Sequence, residues 1–398
     1  MNDTILNSFY PIEAKNNHDM SNSQIAYCLA MFDVGVNVGL LFCIAFSEFV
    51  DKNRKNVTLL SGMVTGISLF LFGITYVIQN KALYVVATFS VRLVNGLMSS
   101  CTWAAGWVLI SSLSNDDSTA NTLTTLAITA TFIGHFSAPF FGTILYVNFG
   151  YSLPFFVIGL LQFSISVILL IYMMPRPNTA KDKNDEYSRP DNLLSYLLHP
   201  LLIGHTWVIF ESAMLIGFFE ATISLYLNTF SLSISRISLI ISFSTVIVIF
   251  LSLISVYLNS KHFVKTNLLG QLLFFIAMFL YSFSFMHTKP FALVMAISGY
   301  YVHSISKVFH SGPSSLVLKN ILVCIFGKAA KTWANATALT FNSLMYFSGR
   351  LFGISVVAGL LVKVLAYESI VYILIGVSFL TYCSECFVFY KLTKSTYK

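Results

Sequence analysis

The chain has 398 residues, of which 56% are hydrophobic and 10% charged, and it carries a formal net charge of +7. A soluble domain carries roughly one quarter charged residues, so this composition excludes a water-dissolved globular protein. The basic excess lies in short stretches between apolar blocks, which is a mark of membrane topology and not of a nucleic-acid surface.

The apolar blocks run to about twenty residues or more, the length a helix needs to cross ~30 Å of hydrocarbon at ~1.5 Å per residue. In chain order they occupy 26–50, 57–78, 82–110, 121–147 and 151–174, then 201–227, 234–258, 266–286, 291–323, 337–365 and 369–390. The pattern predicts an all-α polytopic membrane protein with about eleven transmembrane helices. Between the two series lies a hydrophilic stretch with Pro175, Pro177, Pro190 and a mixed charge run from Lys181 to Arg189, which reads as a solvated linker. The predicted organisation is an N-terminal segment (1–25), a five-helix bundle (26–174), a linker (175–200), a six-helix bundle (201–390) and a tail (391–398).

Orientation follows from the basic residues, because loops rich in Lys and Arg stay on the cytoplasmic side. Assigning loops to alternate sides puts fifteen basic residues on the face of the linker and tail and five on the other. The linker and C-terminus are therefore predicted to be cytoplasmic and the N-terminal segment non-cytoplasmic, with an odd number of crossings. Residues 1–23 contain no continuous apolar run of the kind a signal peptide has. The six cysteines fall in or beside apolar blocks and read as small packing residues, including the Cys383-Ser-Glu-Cys386 pair.

Charged side chains inside apolar blocks cost roughly 2.5–3.5 kcal/mol each on insertion scales, so they face a cavity or a partner. On the acidic side these are Asp33, Glu211, Glu220 and Glu385; on the basic side, Arg92, Lys307 and Arg350. Glu220, beside Phe218, Phe219 and Tyr226, is the best candidate to bind a cationic substrate, because aromatic faces add cation–π attraction. Its bland alternative is an ion pair with Lys307. Glu211 lies nine residues earlier, which at ~100° per residue places it on the opposite face of the same helix. His303, Lys307 and His310 share one helix face and could form a proton relay, an anion-attracting strip or a pair for a buried carboxylate. His135 could titrate near neutral pH, but a lone His is more often a packing residue. Gly96, Ser100 and Ala104, and then Gly134, Ala138 and Gly142, recur every four residues, the spacing that lets helices approach closely. Pro139 removes a backbone donor within the second stripe. No Gly-x-x-x-x-Gly-Lys-Ser/Thr loop is present to indicate nucleotide-driven transport, and no metal or cofactor site is predicted.

Three motifs carry a family resemblance. Asp51-Lys52-Asn-Arg54-Lys55 is similar to the acidic-then-basic loop between helices 2 and 3 of the major facilitator superfamily. Arg92-Leu-Val-Asn95-Gly96 resembles its helix 4 motif, with Asn95 where Gln is usual, and Gly134-His-Phe-Ser-Ala-Pro-Phe-Phe-Gly142 resembles its helix 5 antiporter motif. Phe9-Tyr-Pro-Ile-Glu-Ala-Lys15, Asn148-Phe-Gly-Tyr-Ser-Leu-Pro-Phe156 and Phe218-Phe-Glu-Ala-Thr-Ile-Ser-Leu225 look like the vesicular polyamine transporter-like branch of the vesicular amine transporter family.

The resemblance implies a two-bundle facilitator fold in which the chain corresponds to family helices 2 to 12, with helix 1 absent. It implies a role for Arg92 in proton coupling and gating or packing roles for Asp51, Lys52, Arg54, Lys55, Gly96, Gly134, Pro139 and Gly142. The expected function is secondary active, proton-coupled transport of small organic solutes, cationic amines or polyamines, by alternating access. The expected setting is the membrane of a vesicle or other organelle, or else the plasma membrane. The partners are a small-molecule substrate, H⁺ and the lipid bilayer, with no nucleic acid, and the protein is not an enzyme. The alternative is a non-transporting, degenerate relative retained for interaction or sensing.

Overall fold

A computed structural model describes residues 5–6, 9–112, 117–173, 199–285, 288–326, 331–361 and 365–396. Most of the predicted linker, 175–198, and the last two residues of the tail lie outside the described residues, as do the side chains of Asp51 and His135.

The described chain is helical throughout. A short helix α1 (Tyr10–His18) precedes α2 (Asn22–Ala45), α3 (Ser47–Lys52), α4 (Arg54–Ile74), α5 (Lys81–Ser112), α6 (Asp117–Phe149) and α7 (Ser152–Met173). After the linker come α8 (Pro200–Asn228), α9 (Ile234–Phe283), α10 (Lys289–Phe326), α11 (Lys331–Phe352), a π-helix (Gly353–Leu361) and α12 (Tyr367–Thr396). Among the described residues nine helical stretches are long and apolar enough to cross a membrane. The two other predicted blocks, 121–147 and 291–323, lie within α6 and α10.

Large apolar side chains such as Leu41, Phe42, Leu160, Ile168, Phe250 and Phe387 are exposed, an outward face suited to acyl chains and not to water. The interior holds what lipid would not tolerate. Asp33, Arg92, Asn95, His205, Glu211, His303 and Glu385 are all at most 2% exposed.

Helix termini follow local chemistry. Ser21 caps α2 with a capping box, its Oγ accepting from the Gln24 N–H while the Gln24 side chain accepts from the Ser21 N–H. The predicted loop over 259–265 is absent as a loop. The backbone stays helical through α9 except at His262 (φ −139°, ψ 36°), where two helical arms meet. Ser255 Oγ donates to the Val308 carbonyl at 3.2 Å, and Gly270 lies against the backbone of His310. Residues on both sides of His262 thus reach one level of α10, so the two arms form a hairpin around it.

Two features were not expected from sequence. The N-terminal segment packs into the helices: Ile5, Leu6, Phe9 and Tyr10 are fully buried, with Phe9 stacked on Tyr146 at 4.7 Å. The block read as one α-helix over 337–365 changes to a π-helix at Gly353, a geometry uncommon outside functional sites. Of the cysteines, Cys28, Cys43 and Cys101 are buried, but Cys324 and Cys383 are exposed, which corrects the expectation of packing for those two.

Small residues set the closest helix approaches. A Cβ at Gly96 would strike the Phe32 carbonyl, and one at Gly39 would strike Ser100 Oγ, so α5 rests directly on α2. Gly349 and Gly353 rest on the Phe210 and Met214 carbonyls, bringing α11 and the start of the π-helix equally close to α8. Gly142 meets the Ile5 side chain, so that part of the second stripe receives the N-terminal segment. Backbone, unlike a flexible side chain, cannot yield at these points. Gly96→Val and Gly353→Val are therefore expected to destabilise the protein by about 1–3 kcal/mol or more, seen as a lowered melting temperature in detergent. Gly106→Ala, where a Cβ meets nothing within 4 Å, is the matched control and is expected to melt like the parent.

Candidate functional site

The helices before the linker meet those after it along two seams. In one, α2 packs on α11 and the π-helix; in the other, α6 packs on α9. The first seam contains the charged residues. Asp33 lies eleven residues into α2 from Asn22, ~17 Å along the axis at ~1.5 Å per residue, near the middle of the span. Facing it from α11 is Arg350, whose Nη1 donates to Asp33 Oδ1 at 2.8 Å and whose Nε donates to Glu220 Oε2 on α8, also at 2.8 Å. Lys307 Nζ on α10 approaches the other oxygen of Glu220 at 3.5 Å. Two carboxylates and two cations from four helices thus form one chain of charge. Asp33 is fully buried and Arg350 nearly so, whereas Glu220 retains 13% of its side-chain exposure.

Paired charges of this kind survive in low dielectric because the guanidinium fork satisfies two acceptors in fixed geometry. Close packing puts the fork in place, since a Cβ on Gly217 would strike the Arg350 carbonyl. One turn away, Ser348 Oγ donates to Asn37 Oδ1 at 2.8 Å, a second polar tie between α11 and α2.

The charge chain lies between two cavities. One of 410 Å³ is lined by Phe32, Val36, Leu40, Trp103, Gly134 and Phe347, mostly apolar walls with Thr65, Ser99 and Ser100 as polar points. The other, 530 Å³, is lined by Asn22, Ala26, Thr222, Tyr226, Tyr367 and Glu368. Along α2, Asn22 and Ala26 line the second cavity and Phe32, Val36 and Leu40 the first, so Asp33 lies level with the end of the first cavity, next to Phe32.

The remaining candidates take distinct positions. The Arg92 guanidinium, 2% exposed, lies 4.7 Å from the centre of the Phe32 ring, next in sequence to Asp33. Asn95 Nδ2 donates to Ser68 Oγ at 2.7 Å and to the Thr65 carbonyl at 3.2 Å, tying α5 to α4. Glu211 accepts from Ser378 Oγ of α12 at 2.8 Å and so is directed to a different helix from those that meet Glu220. His303 is fully buried between Phe219 and Phe274, at 4.3 and 5.3 Å. Pro139 is buried within α6. Lys52 is exposed and Arg54 and Lys55 are half-buried at the α3–α4 junction. The structure thus brings together Asp33, Glu220, Lys307 and Arg350, and leaves Glu211, Asn95 and the α3–α4 loop residues apart from them.

Sequence reasoning missed a second polar cluster within the helices after the linker. His205, Asn267, Gln271 and Ser314 join His310 and Glu385 in a continuous buried chain from α8 through α9 and α10 to α12. A faint signal was there: Asn267/Gln271 and His310/Ser314 are each four residues apart, so each pair shares one face of an otherwise apolar helix. Among the described residues no group of three or more His, Cys, Asp or Glu could hold a metal ion.

The architecture matches known membrane carriers. Over residues 1–321 the sequence matches the model of the Major Facilitator Superfamily. The chain belongs to that superfamily. It is 27% identical over 230 residues to the human MFS-type transporter SLC18B1 and 25% identical over 231 residues to the mouse protein of that name. Each match covers 56% of this chain and 46% of the relative, so the chain matches about half the length of these curated relatives. A crystal structure of a D-xylose–proton symporter superposes with a TM-score of 0.72 at 15% identity, covering 97% of this chain and 93% of that one. A mutant form of the nucleoside transporter NupG gives 0.67 at 15% identity, over 98% of this chain and 97% of that one. These likenesses extend the facilitator fold over almost the whole of this superfamily member, which is a transporter-family protein and not an enzyme.

Removing one partner from a buried ion pair leaves an uncompensated charge, at a cost of about 3–5 kcal/mol. Arg350→Met is expected to lower thermal stability in detergent strongly, because it removes the guanidinium that donates to both Asp33 and Glu220. The triple variant Asp33→Asn/Glu220→Gln/Arg350→Met removes these carboxylate charges too and is expected to recover much of the loss. Non-additive melting temperatures across the set are the check.

Proposed function

We propose that this facilitator-superfamily chain is a secondary active transporter of small organic solutes, with protonated amines or polyamines as its substrate class. It works by proton-coupled alternating access between the two cavities. The observation that carries the reading is the Asp33–Arg350–Glu220–Lys307 chain at the seam between the helical halves, with a cavity on either side. A gradient-driven carrier needs a mid-membrane site whose pairing differs between its two open states.

Glu220 is the carboxylate best suited to a cationic ligand. It is the most exposed member of the charge chain, and the ammonium of Lys307 stands 3.5 Å from it, farther than the 2.8 Å of the guanidinium contact. A substrate ammonium has the same chemistry as Lys307 and competes for the same oxygen. A proton on the carboxylate removes the attraction for both, which gives exchange of proton for substrate. Asp33 ties the halves together through Arg350, and Arg92, one turn from Asn95 and against Phe32, sets the packing beside it. The distant SLC18B1 match agrees with the vesicular amine transporter resemblance carried by the sequence motifs, and we place the protein in a vesicle or other organelle membrane.

A second reading, a relative that no longer transports, is favoured by one observation: Arg350 and Lys307 already neutralise both carboxylates. Reconstitution decides between the two. With protein in liposomes and a panel of radiolabelled monoamines and polyamines, uptake is expected to rise when the liposome interior is made more acid than the medium. Glu220→Gln is expected to lower that uptake roughly ten- to hundred-fold, the equivalent of losing one charge-assisted contact of about 1.5–3 kcal/mol. Folded protein that moves no amine under any gradient supports the second reading.

A further inference from the structure

The buried polar chain in the second half has no part in the reading above, and its geometry fixes a proton count. His205 on α8 and Glu385 on α12 are both fully buried. His205 Nε2 lies 2.9 Å from the backbone carbonyl of Ser314, and Nδ1 lies 3.0 Å from Glu385 Oε1. A carbonyl oxygen can only accept, so Nε2 must carry hydrogen. The lone pair of a neutral Nδ1 would then face an ionised carboxylate oxygen at hydrogen-bond distance, which is repulsive. One further proton must lie between Nδ1 and Oε1, whether it is drawn on the imidazole or on the carboxyl group.

From this we propose that His205 and Glu385 form a proton-binding dyad, occupied in this conformation, whose proton clamps α8 to α12. The proposal does not depend on the amine reading, because it concerns proton binding by the resting protein.

The surroundings support a built site. Asn267 Nδ2 donates to the same Glu385 oxygen at 2.6 Å, and the Asn267 carbonyl accepts from Ser314 Oγ at 3.0 Å. Together with the Nε2 contact, these bonds hold the dyad from α9 and α10 as well as from α8 and α12. Glu385 Oε2 is buried with no hydrogen-bond partner, so one oxygen of the carboxyl group is unsatisfied. A titratable group beside the dyad is His310 on α10, whose Nε2 lies 3.2 Å from Ser314 Oγ, while Glu211, six residues along α8 from His205, accepts from Ser378 of α12. From α9 the facing side chains are the uncharged Asn267 and Gln271, the latter donating to Ser212 Oγ at 2.6 Å. Leu202, Leu318, Ile321 and Val388 form a dry apolar cluster beside it that keeps bulk water from substituting for the proton.

Loss of the proton turns a 3.0 Å attraction into a contact between a lone pair and a carboxylate, and α8 and α12 must then move apart or rotate. The neighbouring Trp207 reports this, since its Nε1 donates to Thr381 Oγ1 of α12 at 3.2 Å, one turn from Glu385.

The experiment is a pH titration of substrate-free protein in liposomes from about pH 5 to about pH 10, which spans the ordinary range of an imidazole. It is followed by infrared difference spectroscopy and by Trp fluorescence. The expected result is one protonation step with a carboxyl or carboxylate band and a parallel fluorescence change. Glu385→Gln and His205→Gln are each expected to abolish the step, and Trp207→Phe to remove the fluorescence change while keeping the infrared band. A step that persists unchanged in both Gln variants overturns the proposal. So does a wild-type protein with no step in either signal, a result that does not require any variant to fold.

Discussion

The guanidinium of Arg350 holds two carboxylates from opposite halves of the molecule at equal distance, deep in a low-dielectric interior. Everything else along the α2–α11 seam is arranged so that this contact can exist. Gly349 and Gly353 let α11 and the start of the π-helix rest on the α8 backbone, Gly217 leaves room for the Arg350 main chain, and Asn37 meets Ser348 one turn away. Without the packing, a charge so placed would have no defined partner; without the charge, the seam would lose its strongest tie at mid-membrane. A contact of this type has two discrete states, made and broken, which is what a carrier needs at its midplane.

The chain uses polar groups differently on its two sides. At the seam, ion pairs link helices of different halves and border cavities. Within the second half, the His205–Glu385 cluster links helices of one half and is walled by apolar side chains. The first arrangement is suited to change its partners when a ligand arrives, and the second to hold its helices in register while a proton is bound. In the first half the ties are of mixed kind: Asn95 meets Ser68 and Thr65 without charge, whereas the Arg92 guanidinium lies over the Phe32 ring and the Glu13 carboxylate accepts from the Tyr146 hydroxyl.

Much of the fold was legible in the sequence because the bilayer imposes a length on every span and a cost on every buried charge. The helical runs and the set of embedded charges follow from those two constraints. The choice of partners did not follow. The sequence marks Glu220 as the candidate for a cationic substrate with a pair to Lys307 as its alternative; the structure has that pair at 3.5 Å and adds a shorter bond from Arg350, which Asp33 meets across 317 positions of sequence. Which faces meet depends on how α2 sits on α5 and α11 on α8, set by glycine contacts with backbone that no periodicity reveals. The buried α1 segment and the π-helix were missed for a similar reason: both are defined by what packs on them and not by their own propensity. His205, Asn267 and Gln271 passed unnoticed because isolated polar residues in apolar helices carry no pattern until their neighbours are known.

The central claim is that the Asp33–Arg350 contact holds the two halves in one arrangement. Its most direct test is a distance measurement between spin labels on Asn80 and Thr288, exposed positions at the starts of helices in opposite halves, in a cysteine-free background reconstituted in lipid. The account predicts one dominant distance in the parent protein and a second, well-populated distance once Asp33→Asn breaks the tie. Identical distance distributions in the two proteins, both folded, would contradict it.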